Sequence, residues 1–149
     1  KGLLMRLTTY TDSGLRALIY LASLPKEQLS SVAEVAAVYQ LSHNNLAKIV
    51  GHLKKLGYVR AIQGKNGGIQ LALTADKINI GEVISHLENH LDGVDCASTA
   101  CKLQSVCRLQ QALILAMHAF IGVMSEYTLA DLISNKEQLM PLLIASNEV

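Results

Sequence analysis

Between residues 31 and 73 the hydrophobic spacing changes once, from helical to alternating, and that switch restricts the fold more than any other feature. Ser31 opens a helical pattern with Glu34 three residues on, the pairing of a capping box, and Val32, Val35, Ala36 and Tyr39 recur at helical spacing. Ser42 is a second N-cap, ahead of Leu46, Ile49, Val50 and Leu53, and Leu56-Gly57 supplies a glycine stop. Tyr58-Val59-Arg60-Ala61-Ile62 then alternates as a strand does. Gly64-Lys65-Asn66-Gly67-Gly68 holds the glycines of a sharp reversal, and Ile69-Gln70-Leu71-Ala72-Leu73 returns as the partner strand. Two helices joined by a tight turn and followed at once by a hairpin have the order of a winged helix-turn-helix.

The flanking segments are helical. Thr8, Thr9, Thr11 and Asp12 are capping residues ahead of Leu15, Leu18, Ile19 and Ala22, which predicts a helix from about 10 to 23 that Pro25 ends. From Asn79 a short helix carries Ile80, Val83, Ile84 and Leu87. A long one after Cys107 carries Leu109, Leu113, Met117, Phe120 and Met124, broadened by Ala112, Leu115, Ala116, Ala119 and Val123 until little polar surface is left. A helix that apolar needs two partners, and the simplest second one is the same helix of another copy, giving a symmetric dimer. Residues 127–133 read as a last short capped helix. The expected fold is therefore mainly α with a small β-hairpin: a winged helix-turn-helix DNA-binding domain at 5–78, a cysteine loop with dimerisation helices at 79–134, and a loosely ordered tail at 135–149. Lys1–Leu4 read as an extension ahead of a native start at Met5. With no visible signal peptide the expected location is cytoplasmic. The longest apolar run, Ala112–Val123, is interrupted by His118 and falls well short of the ~20 residues of a membrane span.

Charge separates along the chain. Residues 1–75 carry nine Lys/Arg against three Asp/Glu, and residues 76–149 four against nine, so a +6 front and a −5 back make the net +1. Local positive charge is what phosphate binding needs, so double-stranded DNA is the expected partner of the front half. Ser42, His43, Asn44 and Asn45 open the second helix of the helix-turn-helix, the end that meets base edges. Lys48, Lys54 and Lys55 follow on that helix, with Arg60, Gln63, Lys65 and Asn66 on the wing, where cations suit phosphates. The Gly64–Gly68 loop lacks the Gly-Lys-Ser/Thr ending of a nucleotide cradle. No nucleophile–base or paired-carboxylate arrangement stands out, and no enzyme is expected.

All three cysteines, Cys96, Cys101 and Cys107, fall in one short stretch. An odd number of thiols in a reducing compartment points to a soft metal rather than disulfides. Their spacing is longer than a zinc knuckle and leans towards an iron–sulfur core, with zinc and plain buried thiols left open. Cys107 stands immediately before a helical pattern, whose N-terminal partial charge lowers a thiol's pKa, and Arg108 adds a full charge beside it.

Arg6-Leu7-Thr8-Thr9-Tyr10-Thr11-Asp12, Gly14-Leu15-Arg16-Ala17-Leu18, Gly57-Tyr58-Val59, Gly64–Ile69, Ile80-Gly81-Glu82-Val83-Ile84 and the three-cysteine stretch together resemble the NsrR repressors. These form a nitric-oxide-sensing group in the bacterial winged-helix family that also contains the iron–sulfur regulator IscR. The resemblance runs from about Met5 to Ile133. It implies a homodimeric repressor of an AT-rich inverted repeat, usually ahead of nitric-oxide detoxification genes. It also implies one [2Fe-2S] or [4Fe-4S] cluster per subunit on Cys96, Cys101 and Cys107, with Asp12 of the partner subunit as fourth ligand and nitrosylation relieving repression. An IscR-like regulator of iron–sulfur status and a zinc-stabilised, non-sensing DNA-binding protein are the alternatives. IscR has a histidine three residues after its last cysteine; here that residue is Gln110. Two positions depart from the pattern. Ser13 replaces a frequent aromatic, and Gln63 replaces a frequent wing arginine whose charge it cannot supply.

Overall fold

In the computed structural model, which describes residues 5–91, 93–94, 101–103 and 106–145, the capping signals organise the helices. Thr8 Oγ1 accepts from the Thr11 N–H at the start of α1 (Thr9–Ser23), and Leu24 is extended ahead of Pro25, as a residue before proline must be. Ser31 caps α2 (Val32–Tyr39), Ser42 caps α3 (His43–Lys55) and Asn79 caps α4 (Ile80–Leu87), each accepting from the backbone N–H three residues on. Each such cap is worth roughly 1 kcal/mol. The capping box expected at Ser31 and Glu34 is half formed. Glu34 Oε2 takes the hydroxyl of Ser30 at 2.6 Å instead of closing back on its own cap.

The hairpin pairs β1 (Val59–Ile62) with β2 (Gly68–Leu71), antiparallel, with Arg60 opposite Gln70 and Val59 opposite Leu71. Ser30 extends it by one bridge, exchanging backbone hydrogen bonds with Ile69 at 3.0 and 2.8 Å. This ties the wing to the segment ahead of α2. A short 3-10 turn (Ala75–Lys77) leads from β2 into α4. Then follow α5 (Arg108–Met124), the single-turn α6 (Leu129–Leu132) and α7 (Lys136–Ala145).

One aliphatic core runs through α1, α2, α3, the wing, α4 and α6, with Leu18, Leu46, Leu53, Ile80, Ile84, Leu87 and Leu129 fully buried. Residues on both sides of position 78 share it. The start of α4 is stitched to the segment after α5: the Ile80 N–H donates to the Tyr127 carbonyl at 3.0 Å, Leu129 N–H to Ile78 at 2.8 Å, and Asn79 Nδ2 to Ser125 at 2.7 Å. Gly81 makes this crossing possible, because a Cβ there would lie 2.8 Å from the Ser125 amide nitrogen.

The tail expected to be loosely ordered is helical from residue 136 to 145. Lys136 Nζ donates to the Leu24 carbonyl at 3.4 Å, and Leu143 packs against the core. Among the described residues, no helix is long and apolar enough to cross a membrane.

Candidate DNA-reading surface and thiol loop

The exposed side of α3 presents the residues singled out for DNA. Leu46, Ile49, Val50 and Leu53 turn inward, which leaves His43, Asn44, Asn45, Lys48, Lys54 and Lys55 exposed. Ser42 is exposed too, but its oxygen accepts from the Asn45 N–H at 3.4 Å, so it serves first as the cap. Gln63, Lys65 and Asn66 are exposed at the tip of the hairpin. Behind the tip Arg60 is held in plane. With the Gln70 carboxamide oxygen facing it, that oxygen accepts from Nη2 and Nε at 2.7 and 2.8 Å. Gln70 did not stand out in the sequence. Its partnership depends on strand register, which a hairpin motif alone leaves open.

Two tyrosine–histidine bonds brace this surface from behind. The Tyr10 hydroxyl meets His52 Nδ1 at 2.9 Å, joining α1 to α3, and the Tyr58 hydroxyl meets His86 Nδ1 at 2.9 Å, joining the wing to α4. Burial raises the Tyr58 pKa, and the nearby Glu82 carboxylate adds to the shift.

Asp12 lies in the first turn of α1, half exposed. Its Oδ2 accepts from Arg16 Nε at 2.9 Å, and the Arg16 guanidinium lies 5.7 Å from the centre of the Tyr39 ring on α2. Burial pushes the Tyr39 pKa up to about 12, against the opposing pull of Arg16. The cap ahead of Asp12 is held as well. Glu88, just past α4, accepts from the N–H and hydroxyl of Thr8 at 3.2 and 3.1 Å. The sequence gave no sign of this long-range tie.

Of the three cysteines, Cys101 and Cys107 are described, both half-buried and neither in a disulfide. Cys96 lies outside the described residues. Cys107 is the N-cap of α5, and its Sγ accepts from the Gln110 N–H at 3.5 Å, as its place before the helix led one to expect. The stretch leading to the cysteines is pinned against α5 at Gly93, where φ is +78° and a Cβ would lie 2.7 Å from Leu113 Cβ. A soft metal core suits such a donor set. Thiolates carry the negative charge, and a helix N-terminus with Arg108 beside it offsets that charge. Beyond the thiols, α5 has no buried residue; Leu109, Leu115 and Val123 are exposed by 62, 69 and 56%.

A family model described as Rrf2, an iron-dependent transcriptional regulator, matches residues 7–135. Among solved structures the chain is similar to CymR (YrzC), described as the global cysteine regulator of B. subtilis. The two are 27% identical over 89% of this chain and 98% of that one, with a TM-score of 0.69. It is similar also to the oxidized form of Staphylococcus aureus CymR, at 28% identity over 84% and 93% of the two chains and a TM-score of 0.65. T. potens IscR shares the fold, with 24% identity over 91% of each chain and a TM-score of 0.71.

Proposed function

The chain belongs to the Rrf2 family of iron-dependent transcriptional regulators, and we propose that it acts as a homodimeric repressor that binds an AT-rich inverted repeat and senses nitric oxide through an iron–sulfur cluster. Members of this family regulate transcription and are not enzymes. The observation that carries the sensing part is the position of Cys107, whose thiol caps the exposed apolar helix at one end of the cysteine stretch.

In this reading Cys96, Cys101 and Cys107 hold the cluster, with Asp12 of the partner subunit as fourth ligand. When bound, the cluster supplies iron that nitric oxide attacks. The remaining work falls to the chain. The N-terminus of α5 and Arg108 favour the thiolate form of Cys107. Arg16 occupies Oδ2 of Asp12, and Oδ1 makes no hydrogen bond among the described residues, so this carboxylate has room for a second positive partner. Between subunits such a contact ties the first helix of one copy to the thiol loop of the other. Losing it frees the two heads to change spacing, and a dimer reading half-sites about 34 Å apart loses affinity when its α3 helices fall out of step with the groove.

The test is operator binding by protein purified without oxygen, before and after one addition of nitric oxide, with iron, sulfide and zinc measured on the same sample. Iron and sulfide with at least a tenfold loss of affinity on adding nitric oxide is the expected result, a change of about 1.4 kcal/mol. Binding that nitric oxide leaves unchanged overturns the sensing role, and stoichiometric zinc in place of iron supports the zinc-stabilised alternative.

A further inference from the structure

Ser13 has no part in the reading above, yet it sits at the most enclosed polar point of the head. It is only 4% exposed, and it forms no hydrogen bond among the described residues. Buried hydroxyls nearly always have a partner. This one lines a half-open cavity of about 250 Å³ between α1 and α3, whose apolar wall is Leu41, Leu46 and Ile49. The other polar groups there are Thr9, Asn45 and Lys48 at the rim, and no acidic side chain lines it. The space lies below the ~300 Å³ at which drug-sized pockets begin.

We propose that this cavity binds a small organic acid with a compact apolar body, of about the size of benzoate. The body lies on the three aliphatic side chains, the buried hydroxyl meets one polar atom of the ligand, and the Lys48 ammonium selects the carboxylate over a neutral amide. Asn45 and Lys48 belong both to this cavity and to the surface that faces DNA. An acid paired with Lys48 withdraws that charge from phosphate, so occupancy weakens DNA binding. This last step alone rests on the DNA-reading role of α3.

The experiment uses the full chain with benzoate, benzamide and acetate as probes, read first as thermal stability without DNA. Benzoate at about 10 mM raises the melting temperature by about 3 °C, through mass action on the folded state. Benzamide does less and acetate nothing. Ser13→Phe fills the space and abolishes the benzoate response, and Lys48→Met makes benzoate and benzamide equivalent. Should Ser13→Phe fail to fold, amide chemical shifts of the wild-type protein decide: perturbations confined to α1 and α3 support the site. No response beyond that to an equal concentration of chloride, an equal response in Ser13→Phe, or shifts lying elsewhere overturns it and leaves a cavity that holds water only. A second arm follows binding to a short random-sequence duplex, where benzoate lowers wild-type affinity several-fold and has no effect on Lys48→Met. Stabilisation by benzoate in a protein that does not bind the duplex keeps the cavity site and rejects the DNA-reading role.

Discussion

At the scale of single residues, Asp12 shows how a weak contact acquires a purpose. Asp12 and Arg16 are both half exposed, and an ion pair of that kind at this helical spacing contributes only about 0.3–0.5 kcal/mol. Its importance lies in what the guanidinium reaches next, the Tyr39 ring on α2. Asp12→Ala should therefore keep its iron and sulfide and lose part of its response to nitric oxide; an unchanged response removes Asp12 from the mechanism. Tyr39 gives an alkaline signature. Its folded pKa is raised from 10.0 to about 12, so the stability it contributes is complete below pH 10 and is lost as pH rises through 12. Urea midpoints measured across that window should fall less steeply for Tyr39→Phe than for the wild type. Local chemistry at this scale was legible: Ser31, Ser42 and Asn79 cap their helices because a side-chain oxygen and the N–H three residues on lie within one turn. The Glu34 carboxylate was misjudged for the opposite reason. Ser30, held in place by Ile69 of the wing, competes for it, and no local pattern records that neighbour.

At the scale of elements, hydrophobic period located α1 to α5 and the hairpin, since each presents one continuous apolar stripe to the core. It failed for α7. Pro141 inside that helix removes one backbone donor and argued against helix in the sequence, yet Leu143 on the core and Lys136 on the Leu24 carbonyl hold it in place. Crossings between elements were equally invisible. Nothing in Ile80-Gly81-Glu82 indicates that the backbone at Ser125 passes within reach of a Cβ at Gly81. Gly81→Ala should destabilise the fold by about 1–3 kcal/mol, the usual cost of overpacking, and chemical denaturation will show it. Thr128→Ala should cost about 1 kcal/mol by opening the capping box with Asp131 at α6. Two hydrogen bonds from Thr128 hold the Asp131 carboxyl below its usual pKa, so that contribution is present at neutral pH and fades as the solution is acidified through the lowered value.

At the scale of the whole molecule, an α5 with no buried residue is the feature that a single copy leaves unresolved. Its apolar breadth was readable as a need for company, and Leu115→Glu with Val123→Glu should shift the protein to monomers in light scattering without unfolding the head. A dimer that survives both substitutions places the self-association surface elsewhere. The cysteine loop was legible as chemistry but not as position, because the pinning at Gly93 depends on how two distant segments meet. The seam between residues 78–80 and 125–129 carries a mechanical consequence. The hairpin runs directly into one side of that seam and the long helix into the other, so the two behave as opposite arms of a rocker on a common pivot. A twist applied where subunits meet cannot be absorbed quietly within the interface; it reappears as a tilt of the wing against the duplex.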